Sequence, residues 1–369
     1  MAHVLAYRDF IKEVKQLKSV DEAMLQPTHS KVRLFGDKGD NAGLSCVLRN
    51  VQFSENPNSE VVRDGAGVYR FSLKMGKGDT QENVGVLAFD SRVTHWESEP
   101  LFYLNNKPLA NYYHCLTDGL GILYSFLKQS TCKQILMYRN PPHGMRETHC
   151  DFVRDMLKLA LPETHVQFVN HNTLYSAVMT GSYLGLNSKR QRAIPHSGLY
   201  EMYDRIKASC NKTVSGPRKI FITRMPRAKS RDALPENNLS YRELVNEGEL
   251  LELMQGYGFS PVFAEDYTLE EQVSLFSQAT HVTGPWGAGF INTVFCKPGV
   301  IILPFGSPNF SLNLRKRSNV YCGPLFADKK IIPLNGLGKT LTETNVTNAP
   351  WKIDIDGTRA SLETIGGFL

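Results

Sequence analysis

His114 and Asp118 stand four positions apart within Asn111-Tyr112-Tyr113-His114-Cys115-Leu116-Thr117-Asp118. On a helix, such positions share one face. A carboxylate beside an imidazole orients the ring and raises its basicity, which suits a general base. The same spacing also fits a surface histidine and aspartate on an ordinary helix start. Asn111 and Tyr113 flank the pair and are candidate acceptor-side residues.

A second group is cationic. Arg224, Arg227, Lys229 and Arg231 follow the apolar run ending at Thr223. The carboxyl ends of strands are where open α/β sheets bind ligands, and arginine offers bidentate bonds to phosphate oxygens. A solvated basic loop is the alternative. The third feature is Val282-Thr283-Gly284-Pro285-Trp286-Gly287-Ala288-Gly289-Phe290-Ile291-Asn292. Its expected layout is a buried strand, a tight glycine turn and a helix-like segment. A helix start presents unpaired N–H groups and partial positive charge, so a phosphate is the expected guest. The glycines would let backbone approach it closely. A purely structural corner fits the same residues. The last group, Tyr241-Arg242-Glu243-Leu244-Val245-Asn246-Glu247, is read as opening a helix, where Arg242, Asn246 and Glu247 fit capping and pairing as well as binding.

The elements that must hold these residues alternate. Residues 27–100 are strand-like and rich in turns. Tyr112, Leu116, Leu120, Leu123 and Phe126 recur at helical spacing over Asn111 to Lys128. A strand is expected at Gln134 to Tyr138, a helix at Asp151 to Leu161 and a strand at Val166 to Val169. The polar stretch Leu184 to Gly198 is read as the interdomain connection, dividing the chain into 1–195 and 196–369. Further on, strands are expected at Lys219 to Thr223, Ser260 to Ala264, Thr280 to Thr283 and Gly299 to Pro304. Helices are expected at Tyr241 to Tyr257 and Leu269 to Gln278. This is the pattern of two α/β layers, the second a doubly wound parallel sheet.

Bulk properties are those of a globular chain of more than one core: 369 residues, 41% hydrophobic and 21% charged. A net charge of +6 suits an anionic small molecule. No interleaved aromatic and basic run of the kind that binds nucleic acid occurs. No apolar run approaches the ~20 residues of a membrane span, and Met1 to Gln26 lacks the apolar core of a signal peptide. Seven scattered cysteines without CxxC spacing read as free thiols of a reducing compartment. Sequons at Asn211, Asn238, Asn309 and Asn345 are set aside for want of a targeting segment. His143, His149, His165 and His171 lack HxxxH or HExxH spacing. With no divalent-ion motif read against a diphosphate, metal-independent chemistry is the expectation, with no bound metal or cofactor.

Taken in order, these blocks resemble glycosyltransferase family 61, whose members include β-1,2-xylosyltransferases and protein O-linked N-acetylglucosaminyltransferases. The resemblance is carried by Asn111-x-x-His114-x-x-x-Asp118, Thr223-Arg224 and Arg242-x-x-x-Asn246-Glu247. It continues through Gly258-Phe259, Glu265, Glu271-Gln272, Leu275-Phe276, Ala279 and Gly284-x-x-Gly287-Ala288-Gly289-x-x-Asn292-x-x-Phe295. It spans roughly residues 100–310. The resemblance implies a GT-B architecture, two Rossmann-like domains facing across a cleft, with the acceptor on the first and the nucleotide sugar on the second. It implies inverting, metal-independent transfer, from UDP-xylose or UDP-GlcNAc in the first place, to a glycan hydroxyl. His114 or Asp118 would be the base. Arg224 and the amides of Gly287, Ala288 and Gly289 would hold the diphosphate, with Arg227, Arg242, Asn246, Glu247, Glu265 and Asn292 also on the donor side. The family usually carries a histidine where this chain has Trp286, also counted on the donor side, which offers an apolar face or an indole donor instead. A nucleotide-sugar epimerase of the same architecture, or a non-catalytic nucleotide- or glycan-binding protein, is the alternative. The expected location is the cytoplasm of a bacterial or virus-infected cell, or the ER or Golgi lumen if the sequence is a piece of a longer protein.

Overall fold

The computed structural model describes residues 46–53, 61–63, 68–70, 93–104, 109, 111–129, 132–139, 148–180, 196–225, 243–308, 328–341 and 349–369. The chain divides into two compact units, Met1–Asp204 and Arg205–Leu369. Arg227, Arg242 and residues 184–195 of the expected connection lie outside the described residues, and its last three residues, His196 to Gly198, are helical instead.

The first unit opens with β1 (Cys46–Phe53), β2 (Val61–Arg63), β3 (Val68–Arg70), β4 (His95–Glu97) and β5 (Leu101–Tyr103). There follow α1 (Tyr112–His114), a widened π turn (Cys115–Gly119), α2 (Leu120–Gln129), β6 (Gln134–Met137) and α3 (Thr148–Ala160). The unit ends with β7 (His165–Phe168), β8 (Thr173–Thr180) and α4 (His196–Ser209), the last running past the boundary. Its sheet runs β3-β2-β1-β8-β5-β6-β7, with β4 also on β8. Strands β8, β5, β6 and β7 are parallel, whereas β1, β2 and β3 attach antiparallel. Leu101, Phe102 and Tyr103 are all buried, as expected of a parallel strand covered on both faces. In α2, Leu120, Ile122, Leu123 and Phe126 are buried, and in α3 Val153, Met156, Leu157 and Ala160, each set at helical spacing.

The second unit contains β9 (Lys219–Ile222), α5 (Glu247–Gly256), β10 (Ser260–Val262), α6 (Leu269–Ser277) and β11 (His281–Pro285). A 3-10 segment (Ala288–Phe295), β12 (Ile301–Phe305) and β13 (Lys330–Ile331) come next. A small antiparallel pair, β14 (Gly338–Thr340) and β15 (Trp351–Ile353), precedes α7 (Ile355–Thr364). The main sheet has the order β10-β9-β11-β12-β13, parallel throughout. One core packs Phe221, Leu303 and Phe305 of the sheet against Leu250 and Met254 of α5, Leu362 of α7 and Trp351. A capping box starts α6: the Thr268 hydroxyl and the Glu271 side chain each bond the other's backbone amide.

Two expectations need correction. No strand was expected over Thr173–Thr180, yet β8 pairs with β1, β4 and β5 and is central to its sheet. The helix expected from Tyr241 begins only at Glu247. Glu243 and Val245 instead exchange backbone bonds with Trp351 (2.8 and 2.9 Å), and that pairing outcompetes helix. The helix-like segment expected after the glycine turn is present, as 3-10 turns over Ala288–Phe295.

Candidate active site

In the first unit the site grows from a helix cap. The Asn111 Oδ1 accepts the amides of Tyr113 (3.0 Å) and His114 (3.4 Å), filling the orphan donors of α1. Tyr113 is buried and meets the His114 ring edge-on, with centroids 5.2 Å apart. The helix then widens, and the Leu120 amide reaches back five residues to the Cys115 carbonyl. Thr117, which the sequence reading did not single out, donates its hydroxyl to the Tyr113 carbonyl at 2.9 Å. Its only local signal is a threonine four residues after a candidate site position.

Across this turn His114 Nδ1 and Asp118 Oδ2 are 2.7 Å apart. The Asp118 side chain is 12% exposed and that of His114 49%. A carboxylate only accepts, so Nδ1 carries the proton and Nε2 is left as the basic nitrogen. Cys115 offers no competing nucleophile. Burial pushes its thiol far above the ordinary range, and its Sγ lies 3.3 Å from Met156 Sδ. Cys115, Cys132, Cys210 and Cys296 are free thiols.

In the second unit, the chain leaves β9 towards β10 on one side, and β11 towards β12 on the other. The carboxyl ends of β9 and β11 therefore flank the topological switch point, where open sheets of this order bind ligands. Arg224 and the glycine turn stand there. Arg224 Nη2 donates to the Trp286 carbonyl at 2.8 Å, so the turn fixes the guanidinium. A Cβ on residue 287 would overlap that guanidinium, although Gly287 itself is in extended backbone that any residue adopts. At Gly284, φ is +133°, and a Cβ would run into the Ile222 carbonyl. These glycines thus serve the approach of the turn to β9, not only to a guest. The amides of Gly287, Ala288 and Gly289 make no hydrogen bond among the described residues. Those of Trp286 and Phe290 are taken by Phe305 and Gly287.

Glu247 anchors the other side of Arg224. Its Oε1 accepts the Thr223 hydroxyl and the Arg224 amide, both at 2.7 Å. Burial is the main influence on this carboxyl and raises its pKa, opposed by the Thr223 bond and by the Arg224 amide and charge. The other expected donor-side residues have diverse settings. Asn246 is buried, and its amide both accepts from Ile353 N and donates to Ile353 O, each at 3.0 Å. Asn292 is fully buried and donates to Gln272 at 2.7 Å, tying the 3-10 segment to α6. Trp286 is buried with its ring 4.8 Å from that of Phe290. Glu265 is exposed just beyond β10, at the carboxyl edge of the sheet.

Among the described residues no three His, Cys, Asp or Glu gather as metal ligands. The tripeptide Asp354-Ile355-Asp356 does have the DxD form that the sequence reading passed over. There Asp354 caps α7, its Oδ1 accepting the Gly357 amide at 3.2 Å. No helix among the described residues is long and apolar enough to cross a membrane.

The chain matches the Glycosyltransferase 61 family over residues 112–303, more than half its length. It belongs to glycosyltransferase family 61. The family 61 match takes in the His114–Asp118 pair, Arg224 and the glycine turn together, and it identifies the protein as a glycosyltransferase. No curated protein matches the sequence.

Proposed function

We propose that this family 61 enzyme transfers a sugar with inversion, from a UDP-linked donor to a glycan hydroxyl, with His114 as the base and without a metal ion. The carrying observation is the 2.7 Å bond between His114 Nδ1 and buried Asp118, which leaves Nε2 as proton acceptor. The acceptor O–H gives its proton to Nε2 while its oxygen attacks the anomeric carbon. The bond from that carbon to the diphosphate breaks on the opposite face, and its electron pair leaves with the nucleotide. Charge growing on the leaving phosphate is met by Arg224 and by the amides of Gly287, Ala288 and Gly289. The fixed guanidinium and the free amides at the switch point support that role. Glu265 is assigned to the donor ribose, on the strength of its exposure at the same sheet edge. The engagement of Asn246, Asn292 and Glu247 in internal bonds supports a supporting role for them. UDP-xylose and UDP-GlcNAc are the donors favoured by the family resemblance, as is a GT-B arrangement of the two units.

The test separates the two halves of the mechanism. His114→Ala should lose transfer yet bind UDP normally by calorimetry, whereas Arg224→Ala should weaken UDP binding. Transfer at the wild-type rate by His114→Ala would sink the base assignment. Loss of activity in EDTA, restored by a divalent ion, would overturn the metal-free reading. Conversion of the donor sugar without an acceptor would point to an epimerase instead.

A further inference from the structure

The His114–Asp118 pair stands on an irregular turn, and that irregularity has its own support. Four residues of a regular α-helix overshoot a full turn by roughly 40°. A turn closed at i+5 holds more residues, so the overshoot shrinks. Over Cys115–Gly119 the widened turn thereby brings Asp118 back beneath His114.

Widening also takes carbonyls out of register with the amides that would otherwise bond them. Two buried hydroxyls bond carbonyls of the widened turn and of the residue leading into it. Thr117 Oγ1 donates to the Tyr113 carbonyl at 2.9 Å, and Tyr203 Oη donates to the Leu116 carbonyl at 2.8 Å. Tyr203 lies on α4, 87 positions from Leu116, and is almost fully buried. Burial above all, then neighbouring Tyr200 and Asp118, hold its hydroxyl protonated well above the ordinary tyrosine range, so it remains a donor.

We propose that Tyr203, together with Thr117, is a positioning residue for sugar transfer: the two hydroxyls hold the wide turn open and so set the His114–Asp118 bond. Without them the turn can close at i+4 like its neighbours, which turns Asp118 by about 40° relative to the imidazole and lengthens the bond between them. The proposal rests on His114 acting as the base.

The experiment uses the full chain with Tyr203→Phe and Thr117→Val, each removing one hydroxyl at nearly constant shape. Its structural readout is the low-field proton resonance of His114 Nδ1–H, the signature of a short bond to a carboxylate. Asp118→Asn and His114→Ala are the references. Tyr203→Phe should weaken or abolish that resonance and lower kcat about tenfold, a fraction of the ~10²–10⁴ that general-base catalysis supplies. The KM for the donor should be unchanged. Thr117→Val should do the same, which keeps the question decided if one variant fails to fold. Retention of the resonance and of kcat within twofold by the folded variants, while both references are inactive, overturns the positioning role. Full activity of both references overturns the base assignment instead.

Discussion

The guanidinium of Arg224 occupies the space that a Cβ on Gly287 would need. Gly287 is extended, so alanine there strains no backbone, and the clash falls on the end of a flexible side chain. Gly287→Ala should therefore leave the unfolding midpoint nearly unchanged while displacing Arg224 from the Trp286 carbonyl. UDP affinity, measured by calorimetry, should fall about as far as in Arg224→Ala. Because both changes act through one group, the double variant should bind no worse than Arg224→Ala alone.

Gly284 has the opposite sensitivity. Its positive φ and its contact with the Ile222 carbonyl are both backbone constraints, and neither can relax by moving a side chain. Gly284→Ala should destabilise the protein by about 3 kcal/mol or more, read as a lowered midpoint in urea.

Asn246→Ala tests a reassignment from ligand to scaffold. It leaves the Ile353 amide and carbonyl unpaired in a buried place, at about 1–3 kcal/mol for each group. Stability should fall, while the folded fraction binds UDP with wild-type affinity. Unchanged stability with weakened binding would restore Asn246 to the donor site.

Glu247 should make stability depend on pH. Its folded-state pKa is raised, so between its unfolded value near 4.5 and the raised value the folded protein binds more protons than the unfolded. Its contribution therefore declines as pH rises through that window and is restored as pH falls. Glu247→Gln keeps an oxygen for Thr223 and Arg224 but does not titrate. The stability of wild type relative to Glu247→Gln should drop from about pH 4.5 upward, measured by thermal melts across pH. Glu247→Ala should instead lose stability at every pH, having no acceptor for either donor.

Local geometry was legible in the sequence, and long-range partnership was not. His114 and Asp118 could be placed on one helix face from their spacing alone, whereas the turn that sets their bond could not. The strands at Lys219, Ser260 and Ile301 were legible as short apolar runs between helices. Polar residues in the family blocks were harder to read. Nothing near Asn246 in the sequence announces a partner 107 positions on, so a buried scaffold amide reads like a ligand. The wide turn was equally hidden, since Tyr203 lies far from the helix it braces. Strand β8 was missed because Thr173-Leu174-Tyr175-Ser176-Ala177-Val178-Met179-Thr180 follows β7 closely and breaks the strand-helix alternation.

That strand has a consequence for how the protein comes into being. Among the described residues, β1, β2 and β3 join the rest of their sheet only through β8, the last described strand of that unit to be synthesised. On the ribosome, their free edges have no seat until residues 173–180 have emerged. A chain halted before Thr173 carries three orphaned strands, an invitation to aggregation and to proteases. One released after Thr180 has the strand on which they close.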